Sequence, residues 1–186
     1  MKLKFSIALI IIVNNLIYSQ YVESKIYSKE ITLYKSKKYI FSEILKNKNE
    51  PTQFEIIPLA AASSGELTTL LYRSENEKKE GLVIAFYGDY WNDTGVLFQG
   101  YGFKNFEKEQ AILFLNKIEI SIEENKKFLN SNSDNNNISF RFDDIDVLIW
   151  TNNGTFEIRL FWKNFDSTWE KTAYERSKRR FERKIK

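Results

Sequence analysis

The 186-residue chain has no cysteine and no histidine. Without cysteine there is no disulfide, no thiolate nucleophile and no sulfur ligand for zinc. The lipid attachment that needs a cysteine at a signal cleavage site is excluded as well. Without histidine the chain lacks the side chain that titrates nearest neutral pH. Ser-His-Asp and Cys-His catalysis and every histidine-containing zinc site are ruled out with it. The groups left for chemistry are carboxylates, lysine, tyrosine and serine. Proline and glycine are also scarce, at two and seven residues, and no stretch has the composition of a flexible linker that would split the chain.

Stability therefore has to come from an apolar core, and the composition supplies one. Hydrophobic residues make up 42% and charged residues 28%, the balance of an ordinary globular domain. Aromatics reach 16%. Asparagine is so common that the sequons at Asn92, Asn137 and Asn153 carry little weight. The formal charge is +3, and it falls to +1 once Lys2 and Lys4 are set aside. It is unevenly spread. Residues 167–186 hold eight basic side chains and three glutamates, a net of +5, so the rest of that shorter chain carries −4. The asymmetry, not the total, is the signal.

At the N-terminus Lys2 and Lys4 precede an apolar run from Phe5 to Val13, which Asn14 and Asn15 end. Ser19 then places a small residue ahead of a cleavage point. That order is the one of a secretory signal, and the run is shorter than the roughly 20 residues a membrane span needs. Residues 1–19 are predicted to be a signal peptide, and residues 20–186 one exported domain, periplasmic or extracellular. The stretch Ile17-Tyr18-Ser19-Gln20 resembles the signal ends of flavobacterial exported proteins.

Along the remaining chain, apolar alternation and turn residues predict an antiparallel meander. Strands are expected over Glu30–Lys35, Phe54–Ala60, Glu66–Tyr72, Leu82–Tyr87 and Val96–Phe103. Pro58 marks the second of these as an edge or a bulge. Leu82–Tyr87, apolar on both faces, is the central strand. Tyr39–Leu45 fits either a strand or a short helix. Asn92-Asp93-Thr94-Gly95 reads as a turn. Residues 105–129 place Ala111, Phe114, Leu115, Ile118, Ile122 and Leu129 on one helical stripe, although Ile118, Ile120 and Ile122 also alternate. Ile138–Phe142, Ile145–Trp150 and Phe156–Trp162 are strands, the last two joined by a tight Asn153-Gly154 turn. Ser167 with Glu170 three residues later predicts a capping box. It would open a helix with Trp169, Ala173, Tyr174, Phe181 and Ile185 on its apolar side. The fold class is α+β: an antiparallel sheet of hairpins packed by two helices.

Three groups of residues are candidates for function. Arg176, Arg179 and Arg183 line one side of the C-terminal helix, opposite its apolar side, and suit an anionic membrane surface or an acidic protein partner. Basic residues at a helix C-terminus also favour the helix dipole without any partner. Nucleic acid is a poor partner for an exported protein. Tyr87, Tyr90, Trp91 and Tyr101, beside Gly100 and Gly102, are candidates for stacking on a sugar or apolar ligand, with cross-strand packing as the simpler account. Asp143, Asp144 and Asp146, and the Asn132-x-Asp134-x-Asn136 pattern, resemble oxygen donors for a hard cation. The pattern lacks the glycine and the closing glutamate of an EF-hand, and turn formation explains it better. No metal site, cofactor or catalytic residue is assigned. The expected function is a non-enzymatic binding or interaction module. The alternative is a histidine-free hydrolase using paired carboxylates. A binding module should present a convex basic or aromatic surface, and a hydrolase a deep pocket with convergent carboxylates.

Overall fold

A computed structural model describes residues 32–46, 48–91, 97–132, 135–152 and 154–185, without the side chains of residues 89–91, 97 and 98. The expected signal segment, the turn at Asn92–Gly95, Asp134 and Asn153 lie outside the described residues.

The structure is an α+β fold with two antiparallel four-stranded sheets. Strands β1 (Glu55–Ala61), β2 (Leu67–Ser74), β3 (Lys79–Trp91) and β4 (Leu97–Glu107) form the first, in sequence order. Strands β5 (Asn137–Phe142), β6 (Ile145–Asn152), β7 (Thr155–Trp162) and β8 (Phe165–Glu170) form the second, also in order. Helix α1 (residues 32–44) precedes the first sheet and ends in a π-helical turn, Ile40–Ile44. Helices α2 (Lys108–Glu124) and α3 (Lys126–Ser131) link the sheets, and α4 (Lys171–Lys184) follows the second.

Side-chain alternation explains the second sheet. Phe156, Ile158, Leu160 and Trp162 all point to the core side of β7, as do Ile145, Val147, Ile149 and Thr151 on β6. All three of its hairpins close with two-residue turns: Phe142 pairs with Ile145, Asn152 with Thr155, and Trp162 with Phe165. Each of those turns contains a residue of positive φ, at Asp143 (54°), Gly154 (74°) and Lys163 (53°), as tight hairpins require. In the first sheet, Leu82–Phe86 of β3 are buried on both faces, which suits an inner strand. Pro58 lies on the edge strand β1, where the register shifts between Pro58 and Ala60.

One apolar core joins the sheets and both long helices. Phe86 of β3 stacks on Trp162 at 5.3 Å and on Phe165 at 6.0 Å, between ring centroids. Gly102 of β4 permits this approach: a Cβ there would lie 2.5 Å from the Phe165 ring and 2.8 Å from that of Trp162. A second, smaller core covers the opposite face of the first sheet, where Ile40, Ile44 and Leu45 pack on Leu70, Tyr72 and Val83.

Three expectations are corrected. Residues 32–35 are helical, not extended. The buried positions of α1 are Ser36, Ile40 and Ile44, four residues apart, whereas Leu33 and Tyr34, which suggested alternation, are exposed. The helix expected over 105–129 begins at Lys108, after β4 has run to Glu107, and breaks at Asn125. Ser167 and Glu170 do not form a capping box. Both belong to β8, with Ser167 buried, and α4 starts after Glu170 without a side-chain cap. Phe165, Ser167 and Trp169 alternate into the core, and that two-residue period outweighed the local capping pattern. Trp169 therefore meets the helix from the strand, its ring edge-on to Tyr174 at 5.2 Å.

Candidate functional site

Helix α4 is strongly two-sided. Ala173, Tyr174, Ser177 and Phe181 are buried. The Tyr174 hydroxyl donates to the Leu115 carbonyl of α2 at 2.7 Å, and its burial pushes the phenol pKa up. Ser177 Oγ lies 2.7 Å from Thr69 Oγ1 of β2. Arg180 donates to the Leu59 carbonyl of β1 at 2.5 Å, and Arg73 donates to the Lys184 carbonyl. These contacts clamp the helix on two strands and on α2.

The other side carries Arg176, Arg179 and Arg183, all exposed. Among the described residues none of the three forms an ion pair. The two acids within the helix are turned elsewhere. Glu175 lies 3.9 Å from Lys171, and Glu182 lies 2.5 Å from Lys178. Lys178 also reaches Glu119 of α2 at 3.1 Å. The three guanidiniums thus form a convex cationic strip on a fixed support.

The aromatic candidates are only partly united. Tyr87 and Tyr101 face each other across β3 and β4, with ring centroids 4.6 Å apart. The row continues through Phe103 to Tyr39 of α1, at 6.4 and 5.1 Å, and Lys35 Nζ lies 5.8 Å from the Tyr101 centroid. Tyr90 and Trp91 sit farther along β3, paired with Phe98 and Leu97. Beyond Tyr87 neither β1 nor β2 has a register partner there, so β3 and β4 run on as a two-stranded ribbon. Tyr39 also donates from its hydroxyl to Asn105 Oδ1 at 2.8 Å, and burial raises its pKa. The described part of this row is cross-strand and helix-on-sheet packing.

The carboxylate cluster is held by cations. Lys104 of β4 contacts Asp143 at 2.6 Å and Asp144 at 2.5 Å, and the Trp162 indole N–H donates to Asp144 at 2.8 Å. Burial alone would raise the Asp144 pKa, but the hydrogen bonds from Lys104 and Trp162 and the lysine charge pull it below the usual carboxylate value. Asp146 is gripped at both oxygens by Arg141, at 2.6 and 2.7 Å, and those bonds hold its pKa low. A carboxyl acting as general acid needs the opposite shift. Among the described residues no three metal-ligating side chains converge.

A polar cavity of about 610 Å³ opens between α1, the β2–β3 turn and the start of α2. Its lining mixes signs. Glu80, 14% exposed, lies between Arg73 at 2.6 Å and Lys108 at 3.6 Å. Tyr72 borders it with a pKa pushed up to about 12, chiefly by burial. The lysine–aspartate clasp at Lys104 went unseen in the sequence, because its partners lie 39 residues apart on different sheets.

No protein-family model, curated protein or solved structure matches the chain.

Proposed function

We propose that this is a non-enzymatic, exported binding module whose contact surface is the arginine strip of α4. The observation that carries the reading is that Arg176, Arg179 and Arg183 stand exposed and, among the described residues, without a carboxylate, on a helix whose remaining charges are largely engaged. Exposed guanidiniums at this spacing suit phosphate or carboxylate groups on an extended partner, because each offers a planar fork of donors. The hydrolase alternative gains nothing from the carboxylates, since Asp144, Asp146 and Glu80 each lie against a cation.

Retention of the wild type on an acidic surface at low salt is the expected result, with vesicles of anionic lipid and an immobilised acidic protein as the two probes. Changing the three arginines to glutamine abolishes it, and rising salt weakens it. A wild type that meets neither probe, nor any acidic partner, leaves the strip as solvated charge. Export is proposed from the Lys2 and Lys4 flank, the Phe5–Val13 run and Ser19. Mass spectrometry of the protein from its native host should find a chain beginning near Gln20. An intact Met1 in a cytoplasmic fraction would overturn it.

A further inference from the structure

We infer that β5 is a strand-pairing edge whose partner is β5 of a second copy, laid antiparallel across a two-fold axis at Ser139. The inference is independent of the arginine strip.

The described chain contains two successive units of four strands followed by a helix, β1–β4 with α2 and β5–β8 with α4. The first strand of each unit is a sheet edge, and the two edges are built differently. β1 is blunted by Pro58, which has no N–H to offer, and by the register shift beside it. Arg180 of α4 also donates to its Leu59 carbonyl. Of the two remaining edges, β8 packs against β2 and β3 of the other sheet, and β4 is thinned by Gly100 and Gly102. β5 has none of these devices. It reads Asn-Ile-Ser-Phe-Arg-Phe, and its ladder to β6 runs unbroken from Asn137 to Phe142.

The register shows what this edge offers. Phe142 and Ile145 close a two-residue turn, so that pair exchanges both of its hydrogen bonds. Alternation then turns the N–H and C=O of Ile138, Phe140 and Phe142 toward β6, and those of Asn137, Ser139 and Arg141 outward. Among the described residues nothing bonds these six outward groups. An antiparallel partner must meet them with outward groups of its own. A second β5 does so for all six only when Ser139 faces Ser139, which sets Asn137 opposite Arg141 and Ile138 opposite Phe140.

The side chains match in that register. Arg141 spends Nε and Nη2 on Asp146, which compensates its charge and leaves Nη1 to donate. Asn137 spends its amide nitrogen on the Asn135 carbonyl, which leaves Oδ1 to accept. Donor of one copy faces acceptor of the other, twice by symmetry. On the core side Ile138 and Phe140, each only partly buried, cover one another across the axis as a β-branched and aromatic pair. The contact is isologous and closes as a dimer. Lys117 of α2, with Nζ 5.8 Å from the Phe140 ring centroid, brings a positive charge beside the strand in each copy, and its long stem lets the ammonium turn to solvent. Salt screens these two charges, so it should not loosen the dimer, the opposite of its effect on binding by the arginines.

The absence of cysteine makes the axis directly testable. Hydrogen-bonded residues facing each other in an antiparallel pair stand about 5.5 Å apart between Cα atoms, within disulfide reach. Ser139→Cys should therefore form a covalent dimer with glutathione disulfide as oxidant. Asn137→Cys, about 13 Å along the strand from its own counterpart, should stay monomeric on a non-reducing gel. Equal cross-linking of the two, or none in Ser139→Cys, overturns the axis. In sedimentation across protein concentration the wild type should dimerise, and glutamine at the three arginines of α4 should leave the dimer intact. Ser139→Lys and Ser139→Glu should each weaken it by at least about tenfold, because like charges then meet face to face. Their thermal midpoints at low concentration should match the wild type, since Ser139 is exposed. Mixing the two variants should restore the dimer, a recovery that a merely structural role would not give. A wild type monomeric at every concentration overturns the proposal and leaves the edge to an extended segment of another protein. A dimer indifferent to both substitutions overturns it as well.

Discussion

Arg141 and Arg159 on the outer face of the second sheet and Arg176, Arg179 and Arg183 on α4 are all accessible, yet their surroundings are opposite. Each sheet arginine grips one aspartate with two donors, Asp146 for Arg141 and Asp166 for Arg159. Register imposes this: Asp146 is the cross-strand partner of Arg141, and Asp166 is diagonal to Arg159. On α4 the neighbours one turn away from Arg176 are Thr172 and Arg180, and those of Arg179 are Glu175 and Arg183. Glu175 is drawn to Lys171. The sheet neutralises its surface within one copy of the chain, and the helix leaves its surface for something else.

The largest effect should come from beneath the arginine strip. Phe181 is fully buried, and Phe181→Ala should cost about 3–5 kcal/mol in a denaturant titration. A cost below about 1 kcal/mol would mean that α4 is not anchored there, and the contrast between a fixed support and free charges would collapse.

Next comes the turn that joins β6 to β7, and with them the two strand pairs that carry the sheet arginines. Gly154 has φ +74°, and nothing lies within 4 Å of the position its Cβ would take. Gly154→Val therefore tests backbone conformation alone, with an expected cost of about 1–3 kcal/mol. An unchanged denaturation midpoint would show that the β6–β7 hairpin does not need the left-handed residue.

Much of that sheet was legible in the sequence, and the reason is local. Ile138, Phe140 and Phe142, and then Phe156 to Trp162, alternate cleanly, and Asn153-Gly154 is a turn signal carried by its own two residues. The same local reasoning failed where tertiary burial decided. Leu33 and Tyr34 imitate a strand but lie on a helix whose packing face is Ser36, Ile40 and Ile44. Ser167 and Glu170 imitate a helix start but belong to a strand returning from the Lys163-Asn164 turn. The arginine strip was readable from spacing within one helix. Its lack of ion pairs among the described residues was not, because that depends on which lysines claim Glu175 and Glu182.

A smaller effect should appear at the clasp between the sheets. Asp144 is held below its ordinary pKa, so its contribution to stability is present above the usual carboxylate range. It is lost as pH falls through the depressed folded value. Burial by itself would lower the Lys104 pKa, but hydrogen bonds and charge from Asp143 and Asp144 raise it above the usual lysine value. Its contribution is therefore present below the ordinary lysine pKa and lost as pH rises through the folded one. Since the aspartates are about half exposed, screening keeps the total to less than about 1 kcal/mol. Thermal midpoints followed against pH should fall less steeply on the acid side in Lys104→Met than in the wild type. Identical acid branches would show that the clasp contributes nothing.

The smallest stability effect should come from the arginine strip itself. Changing Arg176, Arg179 and Arg183 to glutamine should shift unfolding free energy by no more than about 0.5 kcal/mol, for two opposed reasons. Arg179 and Arg183 stand four apart and Arg176 and Arg179 three apart, so like charges repel along one side by a few tenths of a kcal/mol each. Removing them relieves that repulsion. Arg183, in the last turn, also meets the negative end of the helix dipole, a gain of about 0.3–1 kcal/mol at low salt, and removing it forfeits that gain. Glutamine keeps a helix propensity close to that of arginine, so the helix itself is not weakened. The terms nearly cancel, and salt should shrink both. By contrast, Arg159→Gln leaves Asp166 without its guanidinium and should cost a little, within the range of about 0.2–1 kcal/mol for an exposed pair. A triple variant more than about 1 kcal/mol less stable than the wild type would mean that the arginines of α4 have partners within the fold after all, and the distinction between the two surfaces would disappear.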